Sequence, residues 1–168
     1  MRSTTLASIP VGVVVERRRA KSPWVDFLWR PVSVFVGKPS AKPWTPIETQ
    51  AGKILFYAGE AAIDLHRTET SYYRDNLASA EPKLWVALHP TASDPPCELL
   101  AVTADPAEGE AFTDAGCNLV ETVPMPSDIA ATIGQFVAEH HVERPFVKRR
   151  RQPAEATATR RDGKENGK

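Results

Sequence analysis

The sequence predicts a single α+β domain, in which about six to seven short strands form a mostly antiparallel sheet with two or three helices on one face. Three observations lead to this prediction. Several stretches alternate apolar and polar residues with the period of two that half-buried strands show. Other stretches carry helix-capping signals or an apolar stripe at helical spacing. The 15 prolines among 168 residues keep the individual elements short.

The predicted strands follow from the alternation of apolar and polar residues. The first strand is the clearest, because Val11, Val13 and Val15 fall on one face. The longest strand has Gly59 in its middle, which predicts a bulge or a bend. The stretches predicted as strands are 9–19, 32–36, 53–65, 84–89, 98–103 and 118–123.

Two segments near the first strands carry aromatic residues. Trp24, Phe27 and Trp29 lie within six residues of one another, and we expect them to cap the sheet because such rings bury large areas. The stretch 38–46 is rich in proline and lysine and contains Trp44. This composition predicts an irregular loop at the surface.

One helix has a complete set of local signals. Asp105 is placed as its N-cap, Pro106 occupies the first helical position, and Glu108 is spaced to close a capping box. Gly116 is placed to end the helix in a left-handed turn. The sequence therefore predicts a short helix between the strands at 98–103 and 118–123.

Two further helices are predicted on either side of this one. Thr68 or Thr70 is expected to cap a helix that ends near Ala78 and turns Tyr73 inward. Ser127 is expected to cap the last helix, which ends near residue 141. Its apolar stripe consists of Ile129, Ile133, Phe136, Val137 and His140.

Composition limits the class of protein. The apolar fraction of 42% and the charged fraction of 25% are ordinary for a globular protein. Cys97 and Cys117 have neither disulfide-scaffold nor zinc-site spacing, which favours a reducing compartment. The apolar run at 9–15 is too short to span a bilayer and lacks a signal-peptide cleavage site. We therefore expect a cytoplasmic protein without a membrane span.

The charge is zero overall but unevenly distributed. Residues 144–168 hold nine Lys and Arg and three Asp and Glu, whereas residues 1–143 hold twelve and eighteen. We predict a flexible N-terminus at 1–8, an α+β domain at 9–147 and a disordered basic tail at 148–168. The tail begins with Lys148, Arg149, Arg150 and Arg151. A solubilising role is the commoner interpretation of such a tail; an acidic protein partner and, less readily, nucleic acid are the alternatives.

The motifs of several enzyme classes are missing. The chain has no G-x-S-x-G nucleophile motif and neither of the glycine-rich motifs that cradle phosphates. No catalytic or metal-binding residue is therefore assigned, and a non-enzymatic protein is favoured.

The stretch 65–77 is the densest in groups that can hold a partner or ligand. One hypothesis is that His66 acts as a general base, with the carboxylate of Asp64 or Glu69 orienting its ring. The alternative, which we favour, is that these groups complete hydrogen bonds at a strand-to-helix corner. The candidate binding residues are Arg30, His66, Arg67, Glu69, Tyr73 and Arg74.

Several segments taken together resemble a bacterial family of uncharacterised proteins, whose genes typically lie beside those for molybdenum-dependent formate dehydrogenase and its accessory factors. The resemblance covers roughly residues 9–151. The segments that carry it are 10–18, 29–32, 65–76, 123–126 and 136–143.

The resemblance implies a non-catalytic accessory protein that binds a formate dehydrogenase subunit or accessory factor during assembly or maturation. One alternative is synthesis or carriage of the molybdenum cofactor, as molybdopterin guanine dinucleotide; the chain lacks the Leu-x-Gly-Gly start of the enzyme that makes it. Another alternative is a nucleic-acid-binding regulator that uses the basic tail. No resident cofactor is expected, and contact with the molybdenum cofactor would be transient.

Overall fold

Seven strands and three α-helices make up the part of the chain that the computed structural model describes, which is residues 5–37, 39–114, 116 and 118–141. The predicted α+β class is confirmed. The predicted basic tail at 148–168, together with the end of the predicted domain at 142–147, lies outside the described residues. No helix in the described ranges is long and apolar enough to cross a membrane.

The elements follow the predicted order with one addition. The strands are β1 (Thr5–Arg19), β2 (Phe27–Val36), β3 (Thr45–Gln50), β4 (Lys53–His66), β5 (Lys83–Pro90), β6 (Cys97–Thr103) and β7 (Leu119–Pro124). The helices are α1 (Thr70–Ala78), α2 (Pro106–Asp114) and α3 (Ser127–His140), and a short 3₁₀ turn at Arg67–Glu69 precedes α1.

The strands form two antiparallel sheets. Sheet A has the order β2-β1-β4-β3 and sheet B the order β6-β5-β7. β4 lies against β6 and β2 lies against β7, so the two sheets share one core. The apolar face of β1 contributes Val11, Val13 and Val15, which are all fully buried. The predicted antiparallel pairing is confirmed, with the strands divided between two sheets.

The N-terminal boundary differs from the prediction. β1 begins at Thr5, and Ala7 and Ser8 pair with Leu65 and Asp64 of β4. Residues 5–8 were predicted to be flexible, but the length of β4 offers them backbone hydrogen-bond partners. The bulge predicted in β4 is confirmed: Gly59 has φ +127° and the register against β1 shifts beside it.

A strand that the sequence did not predict begins at the end of the proline- and lysine-rich segment. β3 pairs with the first residues of β4, Lys53–Tyr57, and the two strands are joined by a tight turn at Ala51 and Gly52, where Gly52 has φ +78°. β3 is an edge strand with little buried surface, so it shows no alternation. Pro46 is tolerated there because one side of an edge strand needs no backbone partner.

The predicted aromatic cap is only partly correct. Trp29 lies in β2 and packs on the core, and Phe27 begins the same strand. Trp24, by contrast, is 87% exposed in the loop between β1 and β2. That loop extends past the core, so it offers the ring nothing to cover.

The predicted caps are correct for one helix of three. In α2 the carboxylate of Asp105 accepts a hydrogen bond from the amide of Ala107. Glu108 does not close the capping box directly: it accepts a hydrogen bond from the hydroxyl of Thr103, which in turn accepts one from the amide of Asp105. The predicted caps of α1 and α3 are wrong, because Thr70 and Ser127 are the first helical residues and no side chain caps either helix.

Candidate functional site

The predicted corner between β4 and α1 exists, and Tyr73 lies inside it. Tyr73 is 1% exposed, and its phenol oxygen accepts a hydrogen bond of 2.9 Å from the backbone amide of His66. Its ring packs edge-on against Phe136 of α3. Burial raises the pKa of Tyr73 to about 12, so the phenol stays neutral. Tyr73 therefore holds the corner together and cannot contact a partner of the folded protein.

Arg74 contacts the end of α3. Its guanidinium lies 3.1 Å from Nε2 of His141, and Nδ1 of His141 lies 2.9 Å from the hydroxyl of Thr70. A guanidinium only donates hydrogen bonds, so Nε2 accepts and Nδ1 carries the proton. His141 in this form bridges α1 and the C-terminus of α3. Arg74 is therefore engaged in packing the two helices.

The carboxylates at the corner have hydroxyl partners. Asp64 accepts a hydrogen bond of 2.6 Å from Ser8 on β1, and Glu69 accepts one of 2.9 Å from Thr68. Arg67 is exposed and makes no hydrogen bond or ion pair with the described residues. The arrangement favours the interpretation that this stretch is a structural corner, with Arg67 as its outward-facing cation.

Arg30 does not lie at the corner. It pairs across the strands with Glu16, whereas His66 pairs with Thr5 at the other end of β1. Eleven residues of extended strand separate Glu16 from Thr5, a distance on the order of 35 Å. The structure brings His66, Glu69, Tyr73 and Arg74 together, and it separates Arg30 from them.

Neither a metal cluster nor an activated thiol is evident in the described part of the chain. No three His, Cys, Asp or Glu side chains there are close enough together to hold a metal ion. Burial raises the pKa of Cys97 to about 11, so its thiol stays protonated near neutral pH and is a poor nucleophile.

Among the described residues, positive charge is most concentrated at the end of sheet A that holds the β1–β2 and β3–β4 turns. Arg30 lies at this end. We call it the basic end. Ten Lys and Arg residues lie in the described part of the chain, and the basic end holds six of them against three carboxylates. Its cations are Arg17, Arg18, Arg19, Lys21, Arg30 and Lys53, and its anions are Glu16, Asp26 and Glu48. The remaining described residues hold four cations and fourteen carboxylates.

Glu16 forms ion pairs with the three cations on one face of the basic end. It is 4% exposed, and its carboxylate lies 3.0 Å from Arg18, 3.8 Å from Lys53 and 3.9 Å from Arg30. A buried carboxylate requires such partners, because leaving it unpaired away from water is costly. Arg30 therefore belongs to an internal charge cluster.

The other face of the basic end carries cations over aromatic rings. The guanidinium of Arg17 lies 4.2 Å from the ring centroid of Phe27, 5.6 Å from that of Phe56 and 5.8 Å from that of Trp29. Arg19 approaches the Phe27 ring at 5.8 Å. No carboxylate among the described residues pairs with Arg17 or Arg19. Both cations remain available to an anion.

This face continues the core of the protein. In β1 the residues Val11, Val13 and Val15 are buried, and Arg17 and Arg19 follow on the same face, half-buried and exposed. The sequence alternation already places Arg17 and Arg19 on the same face of the strand as the buried valines. The predicted strand at 9–19 includes both arginines, but neither is among the predicted binding residues.

Aromatic packing closes the core beneath these arginines. The Trp29 ring lies 5.7 Å from the Phe56 ring and 5.8 Å from the Trp44 ring. Trp44 has φ +69°, a conformation that bulky residues rarely adopt. Its ring packs on the rings of Trp29 and Phe56. The rings form a firm platform for Arg17.

Exposed apolar side chains surround the basic end. Besides Trp24, Val25 is 45% exposed in the same loop and Leu28 is 53% exposed beside Arg18. Ile47, 54% exposed, lies at a bulge in β3 on the opposite edge of the sheet. Arginine and large apolar side chains on one surface are typical of protein interfaces.

A family model described as "Protein of unknown function (DUF3305)" matches residues 10–150 of the chain. The match confirms the predicted membership of an uncharacterised family and nearly the predicted extent, while the link to formate dehydrogenase genes stays a prediction. No curated protein and no solved structure matches the chain.

Proposed function

Because the chain belongs to the DUF3305 family and has a cationic, partly apolar end, we propose that it is a non-catalytic accessory protein that binds a client protein. The proposed client is a subunit of a molybdenum-dependent formate dehydrogenase, bound in the cytoplasm during assembly or maturation of the enzyme. The identity of the client rests on the resemblance described above. The binding role rests on the surface chemistry of the basic end.

The observation that carries the binding role is the exposure of Trp24. An indole that is 87% exposed at the apex of a loop gains nothing from the fold. Trp and Arg are the residues that most often dominate the energy of protein interfaces. Here Trp24 lies in the loop that follows Arg17 and Arg19 along the chain, so both kinds of residue occur at the basic end.

Carriage of the molybdenum cofactor is less well supported. The cleft beside Phe27 at the basic end has a volume of about 220 Å³, and a second depression between the two turns has a volume of about 490 Å³. Sites for drug-sized ligands and cofactors usually enclose about 300 to 1,000 Å³. The cleft beside Phe27 therefore fits a single side chain or anionic group better than a dinucleotide. The larger depression has no aromatic or large apolar side chain among the described residues that line it, and cofactor sites usually have such residues.

Affinity purification from the native host tests the proposal. The full chain and a truncated chain that ends at residue 147 are tagged, and the captured proteins are identified by mass spectrometry. We expect both chains to capture a formate dehydrogenase subunit, because the proposed surface lies in residues 16–55.

Three other outcomes contradict the proposal. Loss of the subunit on truncation would assign binding to the basic tail. Capture of nucleic acid by the full chain alone would support a regulator, and a pterin chromophore on the purified protein would support a carrier.

A further inference from the structure

We propose that the basic end binds an acidic segment of the client. Carboxylates of the segment bind Arg17, Arg19 and Lys21, and an apolar side chain of the segment packs in the cleft beside the Phe27 ring. This inference rests on the proposed function and names the chemistry of its partner. The competing location is the corner between β4 and α1, where the density of polar groups in the sequence predicts a recognition surface.

The unpaired cations determine the charge of the partner. On one face of the basic end, Arg18, Arg30 and Lys53 each form an ion pair with the buried Glu16. On the other face, Arg17 and Arg19 make no ion pair with described residues, and the same is true of Lys21 in the adjoining loop. Three cations without internal counter-ions favour an anionic partner.

Arg17 and Arg19 are preorganised for this task. They lie two residues apart on one face of a strand, so their Cα atoms are separated by roughly 7 Å. Stacking on Phe27 holds both side chains, which reduces the entropy they lose when a carboxylate binds. Planar guanidiniums also donate two parallel hydrogen bonds to one carboxylate in a bidentate geometry.

The cleft sets the size of the apolar anchor. It is lined by Arg17, Arg19 and Phe27 on one side and by Thr49, Lys53 and Ile54 on the other. At about 220 Å³ it accommodates one side chain. A segment with a single apolar residue between acidic residues therefore fits both the charge and the volume.

The charge of the whole body favours a protein segment over nucleic acid. The described residues carry ten cations and seventeen carboxylates, and fourteen of those carboxylates lie outside the basic end. A long polyanion that crosses the body would meet this negative surface, whereas a short acidic segment contacts the basic end alone. The exposed aliphatic side chains Val25 and Leu28 also suit a protein surface.

Fluorescence anisotropy with synthetic probes tests the inference on the full-length protein. The probe is a labelled 12-residue peptide in which a single Phe is flanked by Asp and Glu. Two matched peptides replace the acidic residues by Lys or the Phe by Ser, and a labelled single-stranded oligonucleotide of equal charge serves as the polyanion. We expect the acidic Phe peptide to bind most tightly, with an affinity that falls as salt rises.

Variants locate the binding site. Arg17→Ala/Arg19→Ala should weaken binding of the acidic Phe peptide by about 10-fold or more, and Arg67→Ala should change it by less than about 2-fold. Arg17 is half-buried against three rings, so Arg19→Ala/Lys21→Ala, which replaces two exposed side chains, provides a second test in case the first variant unfolds. We expect this variant to lose about 5-fold or more.

The inference would be overturned if the acidic Phe peptide did not bind, or if the oligonucleotide bound more tightly than the peptide. It would also be overturned if the two double variants bound the peptide as tightly as the wild type, or if Arg67→Ala lost peptide binding. Its failure is distinguishable from failure of the proposed function. Capture of a formate dehydrogenase subunit without peptide binding removes only the inference. Peptide binding at the basic end with a different host client removes only the identity of the client.

Discussion

Asn76→Leu is expected to lower the free energy of unfolding by about 3 kcal/mol and the melting temperature by about 10 °C. The Asn76 side chain is buried in α1 and connects it to sheet B. Its amide nitrogen donates hydrogen bonds of 2.8 Å to the carbonyl of Lys83 and 3.0 Å to that of Ala104, and its oxygen accepts one of 3.1 Å from the amide of Lys83. Leucine has a similar size but leaves all three backbone groups without this partner.

Asp75→Leu is the matched control for this prediction. Asp75 precedes Asn76 in the same helix and is exposed, so leucine there should change the free energy of unfolding by no more than about 0.5 kcal/mol. Thermal and urea denaturation of both variants provide the measurement. If the two variants differ by less than about 1 kcal/mol, Asn76 does not anchor α1 in the manner described.

Arg19→Glu/Lys21→Glu is expected to weaken client binding by about 100-fold or more. The variant removes two attractive charges from the basic end and introduces two repulsive ones. Both side chains are exposed and make no ion pair with described residues, so the melting temperature should change by less than about 3 °C. Quantitative capture of the client from host extract, alongside thermal denaturation, provides the measurement.

The control for this variant is Lys42→Glu/Arg67→Glu, which makes the same change in net charge. Both side chains are exposed and lie outside the basic end. We expect the control to retain most of the client. An equal loss in both variants would mean that the total charge of the protein, and not the basic end, governs binding.

The sequence predicted those elements whose pattern is imposed by burial on one face. Val11, Val13 and Val15 alternate because β1 covers the core, and the longest strand, β4, shows the same pattern up to Leu65. β3 was not predicted because an edge strand that is exposed on both faces does not need alternating apolar and polar residues. The division into two sheets also escaped, since the choice of strand partners depends on contacts far apart in the chain.

The candidate site was predicted less well, for a related reason. Density of polar groups along the chain identified the corner, but the fold uses Tyr73 and Arg74 in packing there. Arg30 was grouped with the corner because strand register cannot be read from composition. The basic end is formed by two separate turns, so its charge becomes concentrated only when β1 pairs with β4.

Photo-crosslinking tests the central claim, that the client binds at the basic end, most directly. A benzophenone amino acid is placed at Val25, which is 45% exposed next to Trp24, in one variant and at Tyr72, which is 44% exposed on α1 beside the corner, in another. After irradiation in the native host, we predict that the client is crosslinked from position 25 and not from position 72. A client crosslinked from position 72 alone would contradict the account and return the recognition surface to the corner.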